Sequence, residues 1–316
     1  MGQAPLAAAG VTPNDEALME QGVDLSDKAV VVTGAGRGLG AAVGRAAAAA
    51  GAAVVVNDVD PQPAEECANA IRAAGGRAVV HVADITVWSQ AEALIERCLH
   101  EFGKIDGLVN NAGVHLPQHC WEMDEAKVRK TLEVNVLGTL ACSARALKAM
   151  RAQRFGSIVN TTSGSQMGHE YRPDYGASKG AVSSFTFTAA VEMKGTGVRV
   201  NAVSPNAETR MLDDLDKFML ARGEWQRPSL PPPEHNVGMH LYLLSDLSRH
   251  VTGQIIGLRA TGELYIASHP AILLPTAKAP QGVWTARAIG EAIDQGLVAS
   301  LQPLGFKRLR QPIVER

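Results

Sequence analysis

From Ala29 onward, short apolar and β-branched runs alternate with longer segments of mixed polarity. Ala29–Thr33, Ala53–Asn57, Ala78–Ala83, Ile105–Val109, Ser157–Thr161 and Val198–Val203 read as strands, with a last one near Gln254–Arg259. Between them the pattern predicts helices over Leu39–Ala50, Pro61–Ala74, Trp88–Phe102, Asp124–Arg151, Tyr175–Lys194 and, after a break, near Glu234–Leu244. Asp60 fits the N-cap of the second helix, with Pro61 in its first turn and Gly75-Gly76 as its stop. The strand runs are apolar throughout, as a parallel sheet covered on both faces requires. The expected fold is therefore α/β: a doubly wound parallel sheet of about seven strands, helices on both faces, in one domain.

The rhythm also sets boundaries. Residues 1–27 are polar and irregular and read as a flexible leader outside the core. Residues 28–265 hold the alternating pattern. Within them, 206–234 breaks it with a Pro-rich stretch, as expected of a loop or small helix closing over a substrate. Residues 266–316 read as a C-terminal extension, Pro-rich first and then helical near Trp284–Gln295.

Composition narrows the function. Hydrophobic residues make up 46% of 316, enough for a sizeable core, and the net charge is −2. No basic face marks a nucleic-acid or membrane-surface binder. No apolar run is long enough to span a membrane. Cys67, Cys98, Cys120 and Cys142 form no CxxC pair, which argues against a disulfide framework or structural zinc and suits a reducing cytoplasm. His115, His119 and Cys120 lie close in sequence, but spacing supplies no further metal ligand, and a loop lining a substrate cleft is the better reading.

The first strand runs into Thr33-Gly34-Ala35-Gly36-Arg37-Gly38-Leu39-Gly40, which opens the first helix. Glycines let a backbone approach a pyrophosphate, and the helix N-terminus offers it free N–H groups. Strand, glycine loop and helix in this order indicate a Rossmann-type nucleotide site. Asp58, ending the second strand, can take both ribose hydroxyls and repel a 2′-phosphate, which favours NAD over NADP. Arg37 in the loop points the other way. Asp84, with Ile85 beside it, follows the third strand and can accept from an adenine amino group or serve as a turn residue.

Tyr175 and Lys179 are four apart and so share one helix face. A nearby ammonium would lower the phenol's pKa and let it act as acid or base near neutrality. With the glycine loop, Asn110-Asn111-Ala112-Gly113, Asn135 and Ser163, in this order, the pair resembles the short-chain dehydrogenase/reductase family from about Lys28 to Gly262. The resemblance implies NAD or NADP as cofactor and a small-molecule alcohol or ketone as substrate. It assigns the substrate oxygen to Ser163, the acid/base role to Tyr175, the nicotinamide ribose to Lys179, and a water linking Lys179 to solvent to Asn135. It places Asn111, Ala112 and Gly113 beside the adenosine ribose. It also implies a homodimer or homotetramer. Taken singly, Ser163 could be a turn cap with Thr162 as rival hydroxyl, Asn135 a backbone brace, and Tyr171 a decoy for Tyr175.

After the sixth strand stands Ser204-Pro205-Asn206-Ala207-Glu208-Thr209, with Asn206 where the family usually has Gly and Thr209 keeping a hydroxyl for the nicotinamide amide. This variant, like Val54–Asp58, is similar to the (3R)-hydroxyacyl-CoA dehydrogenase units of multifunctional β-oxidation enzymes. That subgroup is NAD-linked and implies a bulky hydroxyacyl or steroid-like alcohol. The last strand ends Ala260-Thr261-Gly262 where many members have Asp-Gly-Gly, so the extension is expected to cover the sheet edge. An NADPH-linked biosynthetic ketoreductase is the alternative within the family. A catalytically silent nucleotide sensor would show a damaged Tyr/Lys pair, and here the pair is intact.

Overall fold

The computed structural model describes residues 23–221, 223, 227–259 and 261–267. Eight strands form one sheet: β1 Ala29–Val32, β2 Ala53–Asp58, β3 Arg77–Val82, β4 Gly107–Asn110, β5 Gly156–Thr161, β6 Val198–Ser204, β7 Ile255–Leu258 and β8 Leu264–Ala267. The helices are α1 Gly38–Ala49, α2 Pro61–Ala73, α3 Trp88–Phe102, α4 Glu125–Leu132, α5 Thr139–Gln153, α6 Pro173–Glu192, α7 Arg210–Leu220 and α8 Val237–Leu244. Strand order is β3-β2-β1-β4-β5-β6-β7-β8, parallel as far as β7. This is the Rossmann-type doubly wound sheet.

Period-2 geometry divides the core. Val30 and Val32 of β1 point to one face, with Val54 and Val56 of β2, and meet the small residues of α1 together with α2 and α8. Val31 and Val55 point to the other, against Leu94, Ile95 and Cys98 of α3 and Ala141, Cys142 and Met150 of α5. Ala91, Leu94, Ile95 and Cys98 make one buried stripe at helical spacing, and each fully buried Leu or Ile contributes about 1.5–3 kcal/mol. The alanines and glycines on the buried face of α1 allow the backbone of that helix to lie close on the sheet.

Four expectations are corrected. The sheet has eight strands instead of about seven, because β8 folds back antiparallel on β7 through the turn at Gly262. Gly257 permits it: a Cβ there would stand 2.2 Å from Tyr265 Cζ, so only a glycine lets the ring cross β7 and reach Ser204, 3.1 Å from its hydroxyl. The helix expected over 124–151 is interrupted by a π-helical turn, Glu133–Gly138, which a hydrophobic pattern does not reveal. Asp60 holds the N-cap position of α2 but makes no capping bond, since its carboxylate pairs with Arg37 at 2.8 Å. Finally, the leader does not lie wholly outside the core. Leu25 is fully buried against the first face and its N–H donates to the Ala50 carbonyl at 2.8 Å. Of the expected substrate loop, α7 is helical; the expected helix near 284–295 lies outside the described residues.

Candidate active site

The strand order reverses between β1 and β4, the point at whose strand carboxyl ends sheets of this kind hold ligands. Thr33 ties the two sides of this point together. Its hydroxyl accepts the N–H groups of Asn111 and Ala112, each at 3.1 Å. Asn111 Nδ2 donates back to the carbonyls of Thr33 and Gly34, at 3.0 and 3.1 Å. So close an approach needs a glycine at 34: its φ is +61° and a Cβ would meet Ala112 Cα at 2.9 Å.

The first turn of α1 has no acidic residue and no side-chain cap, and nothing lies within 4 Å of where a Cβ on Gly38 would sit. Unsatisfied N–H groups and the positive end of the helix dipole suit an anionic diphosphate, so the residues present fit a dinucleotide. Asp58 is fixed toward this loop. Its Oδ2 accepts the Gly36 N–H at 3.0 Å and its Oδ1 the Asp60 N–H at 3.1 Å. Asp84 takes up the turn role: Oδ1 accepts the N–H and hydroxyl of Thr86 at 2.9 and 2.7 Å. Burial pushes its pKa up, but the Thr86 bonds and Lys130 outweigh this and hold it below the usual carboxylate value. Ile85 is buried against Gly138 of the π turn.

Tyr175 and Lys179 lie one turn apart on α6, both buried, with Lys179 Nζ 5.6 Å from the phenol ring centroid. Nζ donates to the Thr161 carbonyl at 2.7 Å. Burial lowers its pKa to about 8. Ser163, just past β5, hydrogen-bonds the Tyr175 hydroxyl. Its own hydroxyl also caps the short turn that follows, accepting from Ser165 N–H at 3.2 Å. Thr162 is removed as a rival, since strand alternation turns it into α6, where its hydroxyl donates to the Lys179 carbonyl at 3.1 Å. Tyr171 is equally removed, its ring packing on His119 and Phe218.

One electrostatic expectation fails. Lys179 was to lower the phenol's pKa. Burial instead raises it, and the groups that oppose the rise are the Arg172 guanidinium and the Ser163 bond. In a dry site, desolvation of the phenolate exceeds the help it receives.

Asn135 is fully buried in the π turn. Its Oδ1 accepts the Val114 N–H at 2.8 Å, and its Nδ2 donates to the Val114 carbonyl and the Ser178 hydroxyl, both at 3.0 Å. It clamps the loop after β4 to α6. A Cβ on Gly113 would lie 3.2 Å from Asn135 Oδ1, 3.5 Å from Met211 Cε and 3.7 Å from Lys179 Nζ, so the substrate-loop helix α7, the π turn and α6 converge there. Pro205, Asn206 and Thr209 run from β6 into α7.

Sequence reasoning missed three residues. Asn236, fully buried, braces Asn206 by accepting its N–H at 2.9 Å and donating to its carbonyl at 3.0 Å. Nothing in a pattern links positions 30 apart. His115 was placed only on a cleft-lining loop, yet its ring lies 4.9 Å from that of Tyr175, and burial lowers its pKa to about 4. Arg172 was not singled out, although three residues before Tyr175 at a helix start is a position worth reading.

The short chain dehydrogenase family model matches residues 28–219. The chain is a member of the short-chain dehydrogenase/reductase family. It is 36% identical to cis-4-hydroxycyclohexanecarboxylate dehydrogenase of Sinomonas cyclohexanicum over 242 residues, covering 75% of this chain and 97% of that protein. It is 33% identical to 3beta-hydroxysteroid dehydrogenase 1 of Eggerthella lenta over 255 residues, covering 77% of this chain and 96% of that protein. A short chain dehydrogenase structure from Mycobacterium avium superposes with a TM-score of 0.77 at 29% identity, covering 90% of this chain and 98% of that one. This family member is an oxidoreductase of the NAD(P)-binding class acting on CH–OH groups or the corresponding ketones. Among the described residues, no helix is long and apolar enough to cross a membrane.

Proposed function

We propose that the chain is an NAD-linked dehydrogenase that oxidises a secondary alcohol on a bulky, hydroxyacyl or ring-bearing skeleton, with Tyr175 as acid/base. The observation that carries this reading is the convergence of Tyr175, Ser163 and Lys179 in a fold whose glycine loop suits a diphosphate. Residues 28–265 would form the dehydrogenase domain, with 206–234 shaping the pocket and 266–316 an extension.

In the proposed mechanism Ser163 holds the substrate oxygen by its hydroxyl. Tyr175, as phenolate, takes the alcohol proton while the carbinol carbon becomes a carbonyl. When bound, the nicotinamide supplies the acceptor for the hydride. Lys179, charged below its pKa of about 8 and anchored on the Thr161 carbonyl, would hold the nicotinamide ribose. Asn135 keeps the Gly113–Val114 turn against α6, so Lys179 Nζ keeps its place. His115, neutral near pH 7, contributes an apolar ring wall to Tyr175 without competing for protons.

For the cofactor, residues Gly34, Gly36, Gly38, Leu39 and Gly40 would cradle the diphosphate. Asp84, Ile85, Asn111, Ala112 and Gly113 would flank the adenosine, and Pro205, Asn206 and Thr209 the nicotinamide. Asp58 favours a free ribose 2′-hydroxyl. The rival reading is NADPH-linked reduction. It is favoured by Arg37 at the loop tip, whose ion pair with Asp60 is exposed and exchangeable. Both named relatives act on alcohols carried by rings, which supports the bulky substrate.

The test is the production of NADH from NAD across secondary alcohols, hydroxyacyl-CoA esters, hydroxysteroids and cyclic hydroxy acids, with kcat/KM compared for NAD and NADP. A strong preference for the phosphorylated cofactor would overturn the Asp58 reading.

A further inference from the structure

Hydride transfer as described leaves one charged group unused. Arg172 precedes α6 at its N-cap position, three residues before Tyr175. Its Nη1 donates to the Ser165 hydroxyl at 3.1 Å, and that hydroxyl lies 3.2 Å from Ser163 Oγ. A single hydroxyl therefore separates this cation from the group proposed to hold the substrate oxygen. The guanidinium is also near enough to Tyr175 to oppose the rise in the phenol's pKa.

The cation has no counter-charge among the described residues. Among the described residues no carboxylate lies within ion-pair distance of it, and the bond to Ser165 is its one hydrogen bond. A guanidinium has five N–H donors, so most of its capacity is uncommitted. None of its nitrogens is among the fully buried atoms without partners, so the spare donors keep some exposure. Asp174 is close in sequence, but both its oxygens are buried without a hydrogen-bond partner, so it does not meet the guanidinium. Burial and Arg172 itself both lower the pKa values of His115 and His169, which disfavours a positive charge on either ring. Burial also lowers the pKa of Arg172, a sign that a half-dry cation is being kept at a cost.

Tyr171, a non-glycine residue, adopts φ +62°, and its carbonyl accepts the Gln118 N–H at 3.1 Å. A strained residue pinned by a neighbouring loop is a feature that gathers at ligand sites. The same turn brings the Tyr171 ring against His119, with centroids 5.1 Å apart, and against Phe218 of α7, at 5.6 Å. A guanidinium with no carboxylate partner among the described residues, one residue from this aromatic wall, suits an anion attached to an apolar ring or chain.

We propose that Arg172 is the specificity-determining residue for a carboxylate on the substrate, so that the alcohol oxidised is a hydroxy acid whose carboxylate lies a few carbons from the reacting carbinol. The proposal rests on the hydride-transfer reading for its placement of the carbinol at Ser163 and Tyr175. A carboxylate accepts two parallel N–H bonds from a guanidinium, which fixes orientation as well as adding affinity.

Two measurements test it. In the first, calorimetry follows binding of cyclohexanecarboxylate and of the uncharged cyclohexanecarboxamide to the NAD-loaded wild type, Arg172→Met and Arg172→Lys. The wild type should bind the carboxylate about 10- to 100-fold more tightly than the amide. Arg172→Met should erase the preference and Arg172→Lys keep part of it, with melting curves confirming that both fold. In the second, kcat and KM are measured on 4-hydroxycyclohexanecarboxylate and its methyl ester. The acid-to-ester ratio of kcat/KM should collapse in Arg172→Met, mainly through KM of the acid. Equal binding of acid and amide by the wild type overturns the proposal. So does a variant that loses kcat equally on acid and ester while its pH profile shifts, for Arg172 would then serve only to bias Tyr175. Arg172-dependent carboxylate binding with no turnover of any alcohol would instead sink the dehydrogenase reading and leave the anion site standing.

Discussion

Burial sets the proton chemistry of the site residue by residue. Tyr175 carries the proposed reaction on one hydroxyl, while its ring fills space beside His115. Tyr175→Phe should therefore leave the melting temperature and nucleotide affinity nearly unchanged and lower kcat by about 10²–10⁴-fold. Retention of most of the activity would mean that another group moves the proton. Because burial holds the phenol's pKa above its ordinary value, oxidation should speed up as pH rises through the alkaline range. Lys179 makes a second, thermodynamic statement. Its folded pKa of about 8 lies below the ordinary 10.5, so the unfolded chain binds more protons between those values. Stability from this group is complete above about pH 10.5, falls as pH drops toward 8, and is flat below. Lys179→Met removes the buried charge. Against wild type it should gain on the order of a few kcal/mol at pH 7, less the lost bond to Thr161, and the gain should shrink by pH 10. Chemical denaturation at the two pH values measures it. A constant difference would show that the lysine is not desolvated in the fold.

At the level of elements, what the sequence revealed and what it hid divide along the range of the interaction. β1, the glycine loop and α1 were legible because strand, turn and helix signals lie within twenty residues and each has a local cause. The Tyr175/Lys179 pair was legible because helical spacing brings the two together whatever surrounds them. Asn236 bracing Asn206, the π turn that aims Asn135 at Val114, and Arg172 standing without a counter-ion among the described residues were not. Each depends on what the rest of the chain packs against it. β8 is intermediate: Leu264–Ala267 has strand-like residues, but its pairing depends on Gly257, whose missing Cβ admits the Tyr265 ring. Gly257→Ala should push that ring aside, lose its bond to Ser204 and the contact with Arg259, and destabilise by about 1–3 kcal/mol. A double-mutant cycle with Tyr265→Ala checks the cause. The two substitutions should couple by at least about 0.5 kcal/mol, because with the ring gone the added methyl has nothing to displace. Additive losses would place the strain elsewhere.

Over the whole molecule, two neutral histidines connect the site to the response of the fold to acid. His115 stands against Tyr175, and His240, fully buried on α8, bonds through Nδ1 to the Asn236 carbonyl at 3.0 Å, next to the brace on Asn206. Burial lowers both pKa values to about 4, from an ordinary 6.5. Neither Nε2 has a hydrogen-bond partner among the described residues, so a proton added there enters a buried site unpaired. Since the folded pKa lies below the unfolded one, the unfolded chain takes up protons first. The stability these two groups allow is complete above about pH 6.5 and is lost as pH falls toward 4, before most carboxylates titrate. The urea midpoint should therefore drop steadily from pH 6.5 to 4.5, and His240→Gln should show a shallower drop over the same interval, whatever its stability at pH 7. Because His240 sits beneath Asn236, the wild type should also lose order around Asn206 and the start of α7 early in the acid transition. Amide exchange at pH 5 would detect this as faster exchange there than in β1 and β4. Parallel pH slopes for wild type and His240→Gln would show that His240 is not held neutral, and would break the proposed link between acid stability and the substrate loop.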